Sequence, residues 1–154
     1  MEPRPSERLS ALGITLPPPP APKGSYAPVV RAGALAWVSG QIVFEDGAVV
    51  HPGTVDRDVP ADLARDLVRR ATLQALSALA AELGGLDRVR RAVRLAVFVA
   101  VSEGFHREHE VANGGSELLI AVFGEAGRAS RTTVGVADLP LHAPVEVELL
   151  VETT

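Results

Sequence analysis

One long amphipathic helix constrains the fold of this sequence more than any other feature. Between Pro60 and Leu83, leucine or alanine recurs at every fourth position, as Leu63, Leu67, Ala71, Ala75, Leu79 and Leu83. Residues at this spacing lie on one face of an α-helix, so the apolar stripe has to be buried against another element. Pro60 suits the first position of a helix and Gly84-Gly85 suits its end, which predicts a helix over 60–83.

The segments around this helix have the alternation of β-strands. Two short strands are predicted at 29–31 and 35–38, a longer one at 88–101 and two more near the C-terminus, with a second helix over 105–123. The order β-β-(β)-α-β-α-β-β predicts a two-layer α+β domain, in which two helices cover one face of a mixed sheet. Trp37 is expected in the core on its strand. Because the uncovered sheet face is also apolar, we expect it to be buried by oligomerisation.

The first 24 residues differ from the rest and are treated as a leader, with the globular domain over 25–154. Ser6 to Gly13 predicts a short helix, with Ser6 as its N-cap and Gly13 as its C-cap. The prolines at 17–20 then predict an extended polyproline segment. The leader lacks the apolar core of a signal peptide, and the run "RAVRLAVFVAV" is too short to span a bilayer. A cytoplasmic protein that does not enter a membrane is therefore expected.

Composition excludes several kinds of site. The 154 residues include no cysteine, which excludes disulfides, thiolate catalysis and zinc ribbons. The net charge of -4 and the aromatic content of 4% disfavour a nucleic-acid-binding surface. The only dense basic run is Arg88, Arg90, Arg91 and Arg94. His106 and His109 are spaced like metal ligands on a helix, but no third ligand follows at a matching spacing, so no metal site is predicted.

Charged residues interrupt the C-terminal sequence where a buried hairpin is expected. The runs 131–137 and 145–151 flank a Pro-containing turn and predict two paired antiparallel strands. Pairing that keeps their valines together places Arg131 on the same sheet face as Glu146 and Glu148. Charges in such a position are costly unless they are paired or used. Two interpretations stay open: a structural Arg–Glu ion pair, or an arginine that binds a ligand carboxylate beside a glutamate that handles water.

Several motifs, in this order and spacing, resemble the RidA/YjgF family. They are Tyr26 before the first strand, "VSGQI" at 38–42, "RTTVGVADLP" at 131–140 and "VEVELL" at 145–150. The leader and the stretch "NGGSELL" are similar to a divergent branch of that family. The resemblance spans about residues 7 to 152. It implies a chorismate-mutase-like α+β fold and a homotrimer with three sites in the clefts between subunits.

The resemblance also implies an activity, which is hydrolysis of reactive enamines or imines such as 2-aminoacrylate to a keto acid and ammonia, without a metal or organic cofactor. In this family pattern Arg131 binds the substrate carboxylate and Glu146 positions or activates the attacking water. The other matching positions are substrate-binding ones: Tyr26 at the entrance, Ser39 and Gly40 in the cleft wall, Asn113 or alternatively Ser116 from the second helix, and Thr132 beside the arginine. Thr132 and Thr133 stand where many members have serine and cysteine.

Two other functions use parts of the same sequence. A trimer without catalytic activity could bind a small carboxylate metabolite as a sensor through Arg131, with no need for Glu146. An endoribonuclease, a label that some members of the family carry, is less favoured because the chain is acidic and poor in aromatic residues. A small carboxylate is thus the expected partner, and nucleic acid is not.

Overall fold

A five-stranded sheet with two helices on one face forms the fold of residues 2–154, which are the residues that the computed structural model describes. The helices are α1 (Pro5–Ala11), α2 (Ala61–Leu83) and α3 (Glu108–Phe123). The strands are β1 (Val29–Ala32), β2 (Leu35–Gln41), β3 (Phe44–Glu45), β4 (Ala48–Val49), β5 (Val89–Ala100), β6 (Ser130–Val136) and β7 (Val145–Thr153). The α+β class, the mixed sheet and the two covering helices are as the sequence predicts.

The order of the strands differs from the prediction at the C-terminus. The large sheet runs β1-β2-β7-β5-β6, and β3 pairs only with β4. β6 is parallel to β5, and β7 is antiparallel to both β2 and β5. The predicted hairpin between 131–137 and 145–151 is therefore wrong, because β5 lies between these two strands. The segment 137–144 carries the chain across the end of β5, with Leu141 and His142 both at φ 58°.

The apolar stripe of α2 forms the centre of the core. Leu67, Ala71, Ala75 and Leu79 have no exposed surface, and each fully buried leucine contributes about 1.5–3 kcal/mol by leaving water. α2 packs closely against α3 at Gly114, where a Cβ atom would lie 2.1 Å from the backbone oxygen of Arg65. The glycines that weaken the helix signal of α3 are thus the residues that allow the two helices to touch.

Among residues 2–154 no helix covers the opposite side of the sheet, which we call the open face. It exposes large apolar side chains on β1, β2 and β6: Val30 (57%), Leu35 (41%), Trp37 (50%) and Val134 (40%). The prediction that Trp37 lies in the core is wrong. Trp37 pairs with Val30 and Leu150 in a row that points away from the helices, whereas its neighbours Ala36 and Val38 are fully buried. Val134 and Val136 of β6 also lie on the open face, because they pair with Phe98 and Ala100 of β5.

The leader contains the predicted short helix but begins it differently. Arg4, not Ser6, is the N-cap of α1, and its backbone N–H donates to Glu7. Ser6 lies inside the helix and donates from its N–H and its Oγ to Asp87, at 2.9 and 2.8 Å. The helix also ends earlier than predicted, because Leu12 is its C-cap and Gly13 follows with a φ of 66°. The prolines at 17–20 lie outside any helix or strand. Within residues 2–154, no helix is long and apolar enough to cross a membrane.

Candidate functional site

Arg131 is held on the helix side of the edge strand β6 by three neutral acceptors. Its Nη1 donates to Asn113 Oδ1 at 2.8 Å and to Ser116 Oγ at 3.1 Å, and its Nη2 donates to the backbone oxygen of His109 at 3.2 Å. Within residues 2–154 it forms no ion pair with a carboxylate. The guanidinium is thus fixed in direction while its charge and its Nε–H stay available to an anion.

The sequence leaves open whether Asn113 or Ser116 lies at the site, and in the structure both residues contact Arg131. The two residues are three positions apart on α3 and therefore lie on the same face of that helix. Gly114 and Gly115 lie between them and pack closely against α2, and Gly115 also contacts Leu95 of β5. These contacts set the distance between this face of α3 and the sheet. Both side chains act here as acceptors that orient the arginine.

Thr133, rather than Thr132, lies on the same side of β6 as Arg131. Thr132 pairs with Ala96 and Thr133 with Val97, and these two partners point to opposite faces of β5. Thr132 therefore points to the opposite side of the sheet from the guanidinium of its own chain, and its expected role in substrate binding stays a prediction. The Oγ1 of Thr133 is buried and has no hydrogen-bond partner among residues 2–154. A hydroxyl without a partner two residues from Arg131 could bond to a ligand held by the guanidinium.

Glu146 occupies a separate place, at an irregularity between β2 and β7. The pairing of these strands shifts between Val38 and Gln41. This bulge brings Gly40 so close to Glu146 that a Cβ atom on Gly40 would lie 1.9 Å from the carboxylate oxygen. A side chain on Gly40 would therefore displace the carboxylate from this position.

The carboxyl group of Glu146 is poorly solvated and has no cation beside it. Burial raises the pKa of Glu146, and the negative charge of Glu148 raises it further. None of the other residues in 2–154 hydrogen-bonds to this carboxyl through a side chain or pairs with it as a cation. A carboxyl group with a raised pKa exchanges protons nearer neutral pH, as a general acid or base requires.

Glu146 opens into a cleft of about 1210 Å³ that also contains Tyr26, Ser39 and Gly40. Ser39 is fixed there, because its Oγ donates to the backbone oxygen of Ala27 at 2.6 Å. The hydroxyl of Tyr26 accepts from the backbone N–H of Lys23 at 3.1 Å, and half of this residue is exposed. Leader residues between Thr15 and Lys23 also line the cleft, together with Phe44, Leu73 and Gln74. Its other charged lining residues are Glu45, Arg70 and Glu148.

Within one chain, Arg131 and Glu146 lie on opposite faces of the sheet. Arg131 pairs with Leu95, which is buried on the helix side, whereas Glu146 pairs with Phe98 on the open face. The prediction that the two charges share a face is wrong, and so is an ion pair between them across a hairpin. Each chain thus carries two groups of candidate residues: Arg131 with Asn113, Ser116 and Thr133, and Glu146 with Tyr26, Ser39 and Gly40.

Other candidate sites lack support from the geometry. No three His, Asp or Glu side chains of residues 2–154 are grouped so that they could hold a metal ion. In the basic run at 88–94, Arg90 pairs with Glu152 at 3.2 Å and Arg94 lies 3.9 Å from Glu148. These contacts reduce the positive charge that a nucleic acid would meet.

Sequence reasoning missed two features of the cleft. The leader residues 15–23 line the cleft, and no motif indicates where a proline-rich segment will pack. Gln74 of α2 also lines it, with an Oε1 that is buried and has no hydrogen-bond partner among residues 2–154. Thr133, by contrast, could have been found from strand alternation, because it shares its parity with Arg131.

Comparison with known proteins agrees with this architecture. Residues 6–153 match the protein family described as "YjgF/chorismate_mutase-like, putative endoribonuclease". Protein TCP17 of Trypanosoma cruzi is 42% identical over 150 residues, which cover 97% of this chain and 94% of that protein.

Two crystal structures are similar over nearly their whole length. Atu1372 from Agrobacterium tumefaciens, a protein of unknown function, is 39% identical with a TM-score of 0.85, over 95% of this chain and 89% of that one. An endoribonuclease-labelled protein from Shewanella oneidensis is 32% identical with a TM-score of 0.92, over 97% and 99% of the two chains. The family match includes the segments that carry Tyr26, Arg131 and Glu146, as the sequence resemblance implied. The chain therefore belongs to the RidA/YjgF family.

Proposed function

We propose that the protein hydrolyses small enamines or imines that bear a carboxylate, giving a keto acid and ammonia, at sites completed between subunits. The observation that carries this proposal is the state of Arg131. Three neutral acceptors fix its guanidinium, and no carboxylate of residues 2–154 neutralises it. A preorganised cation of this kind suits the carboxylate of a small substrate, which it can hold by two parallel hydrogen bonds.

A homotrimer would bring the two groups of candidate residues together. Arg131 lacks an anion and Glu146 lacks a cation, although they belong to the same chain. The open face adds an apolar surface, including Trp37 and Val134, that a neighbouring subunit would bury. In a ring of three, Arg131 of one subunit would face the Glu146 cleft of the next, so that every interface contains one site.

The chemistry uses water and one carboxyl group. An enamine first takes a proton from solvent at its terminal carbon and becomes the protonated imine, an iminium ion. Glu146 then accepts a proton from a water molecule as the oxygen adds to the C=N carbon, which gives a neutral carbinolamine. The protonated Glu146 returns this proton to the nitrogen, the C–N bond breaks, ammonia leaves, and the remaining hydroxyl releases its proton to solvent to form the keto group. The raised pKa of Glu146 suits both steps.

An assay with matched variants tests this proposal. 2-Aminoacrylate is generated in situ, and the release of ammonia and keto acid is timed with and without the protein. We expect acceleration by the wild type and a loss of about 100-fold in kcat/KM for Arg131→Ala, since hydrogen bonds to charged groups contribute roughly 1.5–3 kcal/mol each. Arg128→Ala is the control, because Arg128 pairs with Glu125 on the surface and its loss should leave the rate unchanged.

Glu146→Gln separates catalysis from binding without turnover. The enzyme proposal expects a large loss of kcat while a stable carboxylate such as pyruvate still binds through Arg131. The variant should also be stably folded. Because the pKa of Glu146 is raised in the folded state, its ionised form destabilises the fold above that pKa, so the variant should unfold at a higher temperature at neutral pH. Unchanged turnover in Glu146→Gln would refute the mechanism, and binding by a wild type that accelerates no imine would favour a sensor.

A further inference from the structure

The Glu146 cleft extends well beyond the residues that the proposed reaction needs. Its volume of about 1210 Å³ exceeds the roughly 300–1,000 Å³ that drug-sized ligands occupy, and 2-aminoacrylate is far smaller than these. Tyr26, Ser39, Gly40 and Glu146 are only a small part of its lining. Leader residues between Thr15 and Lys23 also line it, together with Phe44 and Leu73.

The leader is a fixed wall and not a loose tail. Its first helix is tied to Asp87 through Ser6. In its middle, Ile14 and Leu16 pack against the hydrophobic core, and the hydroxyl of Ser77 on α2 donates to the backbone oxygen of Pro17. Prolines have few conformations to lose, so a wall built from them orders at a low entropic cost.

The lining that the leader shares with Phe44 and Leu73 is mostly apolar. Prolines at 17, 18, 20 and 22 line the cleft there. The charged residues of the whole lining are three carboxylates and two cations, namely Glu45, Glu146, Glu148, Lys23 and Arg70. Arg70 pairs with Glu45, and the ammonium of Lys23 lies 4.7 Å from the centre of the Phe44 ring. A second negative charge on a ligand would therefore meet more negative than positive charge in this cleft, whereas an uncharged apolar group would be buried against the prolines.

From these observations we propose that residues 15–23 select substrates that carry a bulky, uncharged, apolar side chain on the imine carbon. This inference rests on the proposed function for the reaction itself and adds the substrate class. The carboxylate and the imine would sit between Arg131 and Glu146, and the side chain would extend along the leader.

The test uses 2-imino acids made in situ by an amino-acid oxidase from alanine, leucine, phenylalanine and glutamate. We expect the wild type to hydrolyse the phenylalanine-derived imine with a kcat/KM at least about tenfold above that for the alanine-derived one, since each buried methylene changes discrimination by about tenfold or more. The glutamate-derived imine should be the poorest. Equal or better hydrolysis of the alanine-derived or glutamate-derived imine would overturn the inference.

One exposed residue allows the cleft to be filled without disturbing the core. Ala21 is exposed and lines the cleft, so Ala21→Trp should lower kcat/KM for the phenylalanine-derived imine by at least about tenfold and leave the alanine-derived one within about twofold. Ala11→Trp places the same side chain on an exposed leader position that does not line the cleft, and it should change neither. Parallel losses for both substrates, or no loss, in Ala21→Trp would refute the role of the leader.

A binding measurement separates failure of this inference from failure of the proposed reaction. If the wild type hydrolyses none of the imines, the proposed function falls, and calorimetry with 3-phenylpropanoate and propanoate then tests the leader alone. Tighter binding of 3-phenylpropanoate that Ala21→Trp abolishes and Ala11→Trp retains would support the wall. Equal binding of the two acids would refute it.

Discussion

Mixing two inactive variants should restore activity if the site is shared between subunits. Arg131→Ala removes the cation from one group of candidate residues, and Glu146→Gln removes the carboxylate from the other. Because Arg131 and Glu146 lie on opposite faces of the sheet, the proposed site takes one from each of two neighbouring chains. An interface is then intact wherever a Glu146→Gln chain supplies the arginine and an Arg131→Ala chain supplies the glutamate.

The magnitude follows from the geometry of a ring. In a mixed trimer, whether the chains combine two to one or one to two, a single interface out of three has both functional residues. Mixed trimers should therefore have about one third of the wild-type kcat per oligomer, whereas a mixed dimer would have about one half. The size of the recovery thus reports the number of subunits as well as the sharing of the site.

The assay needs two tags and two purification steps. The variants are co-expressed with different affinity tags, and passage over both resins keeps only mixed oligomers. A mixture of Arg131→Ala chains that carry the two tags is the control and should stay inactive. Activity in the mixed oligomers no higher than the average of the two separate variants would refute a site built from two chains.

Two further variants test the Glu146 end of the site. Gly40→Ala should keep the fold, because Gly40 has no left-handed φ. Its methyl group would lie 1.9 Å from the Glu146 oxygen and displace the carboxylate, so we expect kcat to fall by about 100-fold. Glu148→Gln removes one of the two causes that raise the pKa of Glu146. At acid pH kcat/KM falls because a protonated Glu146 cannot accept a proton from water, and in this variant the fall should move to lower pH. Glu152→Gln, which loses only the contact with Arg90, should leave the pH of this fall unchanged, and a fall that does not respond to Glu148→Gln would show that Glu146 is not the titrating group.

Periodicity in the sequence was sufficient to predict the elements of this fold. A buried helix face gives the four-residue repeat of α2, and a strand with one buried face gives the two-residue alternation at the start of β5. The helix and strand bounds therefore differ from the prediction by only a few residues. A glycine inside a strand often marks a bulge, and Gly40 lies at the one between β2 and β7. Strand alternation likewise places Thr132 and Thr133 on opposite faces of β6. These features depend on residues that are near one another in the chain.

Strand order was beyond such reasoning, because it depends on which strands meet across the sheet. The two C-terminal strands are separated by a short proline-containing segment, and local pattern alone favours a hairpin there. One observation pointed the other way: the second half of β5 is apolar in both rows, as is typical of a strand with neighbours on either side. β5 does lie between β6 and β7. When a fully apolar strand precedes two amphipathic strands, one should therefore ask whether it lies between them in the sheet before assuming that they form a hairpin.

The strand order also decides whether Arg131 and Glu146 can form an ion pair within one chain. Placed on a hairpin, Arg131 and Glu146 neutralise one another, and a structural ion pair is then the simpler interpretation. Placed on β6 and β7 with β5 between them, they face opposite sides, and neither has a charged partner among residues 2–154. A half-buried carboxyl group without a counterion lowers the stability of the isolated chain. This cost is offset if a neighbouring subunit supplies the missing cation. The absence of an ion pair within one chain therefore supports a shared site more strongly than its presence would.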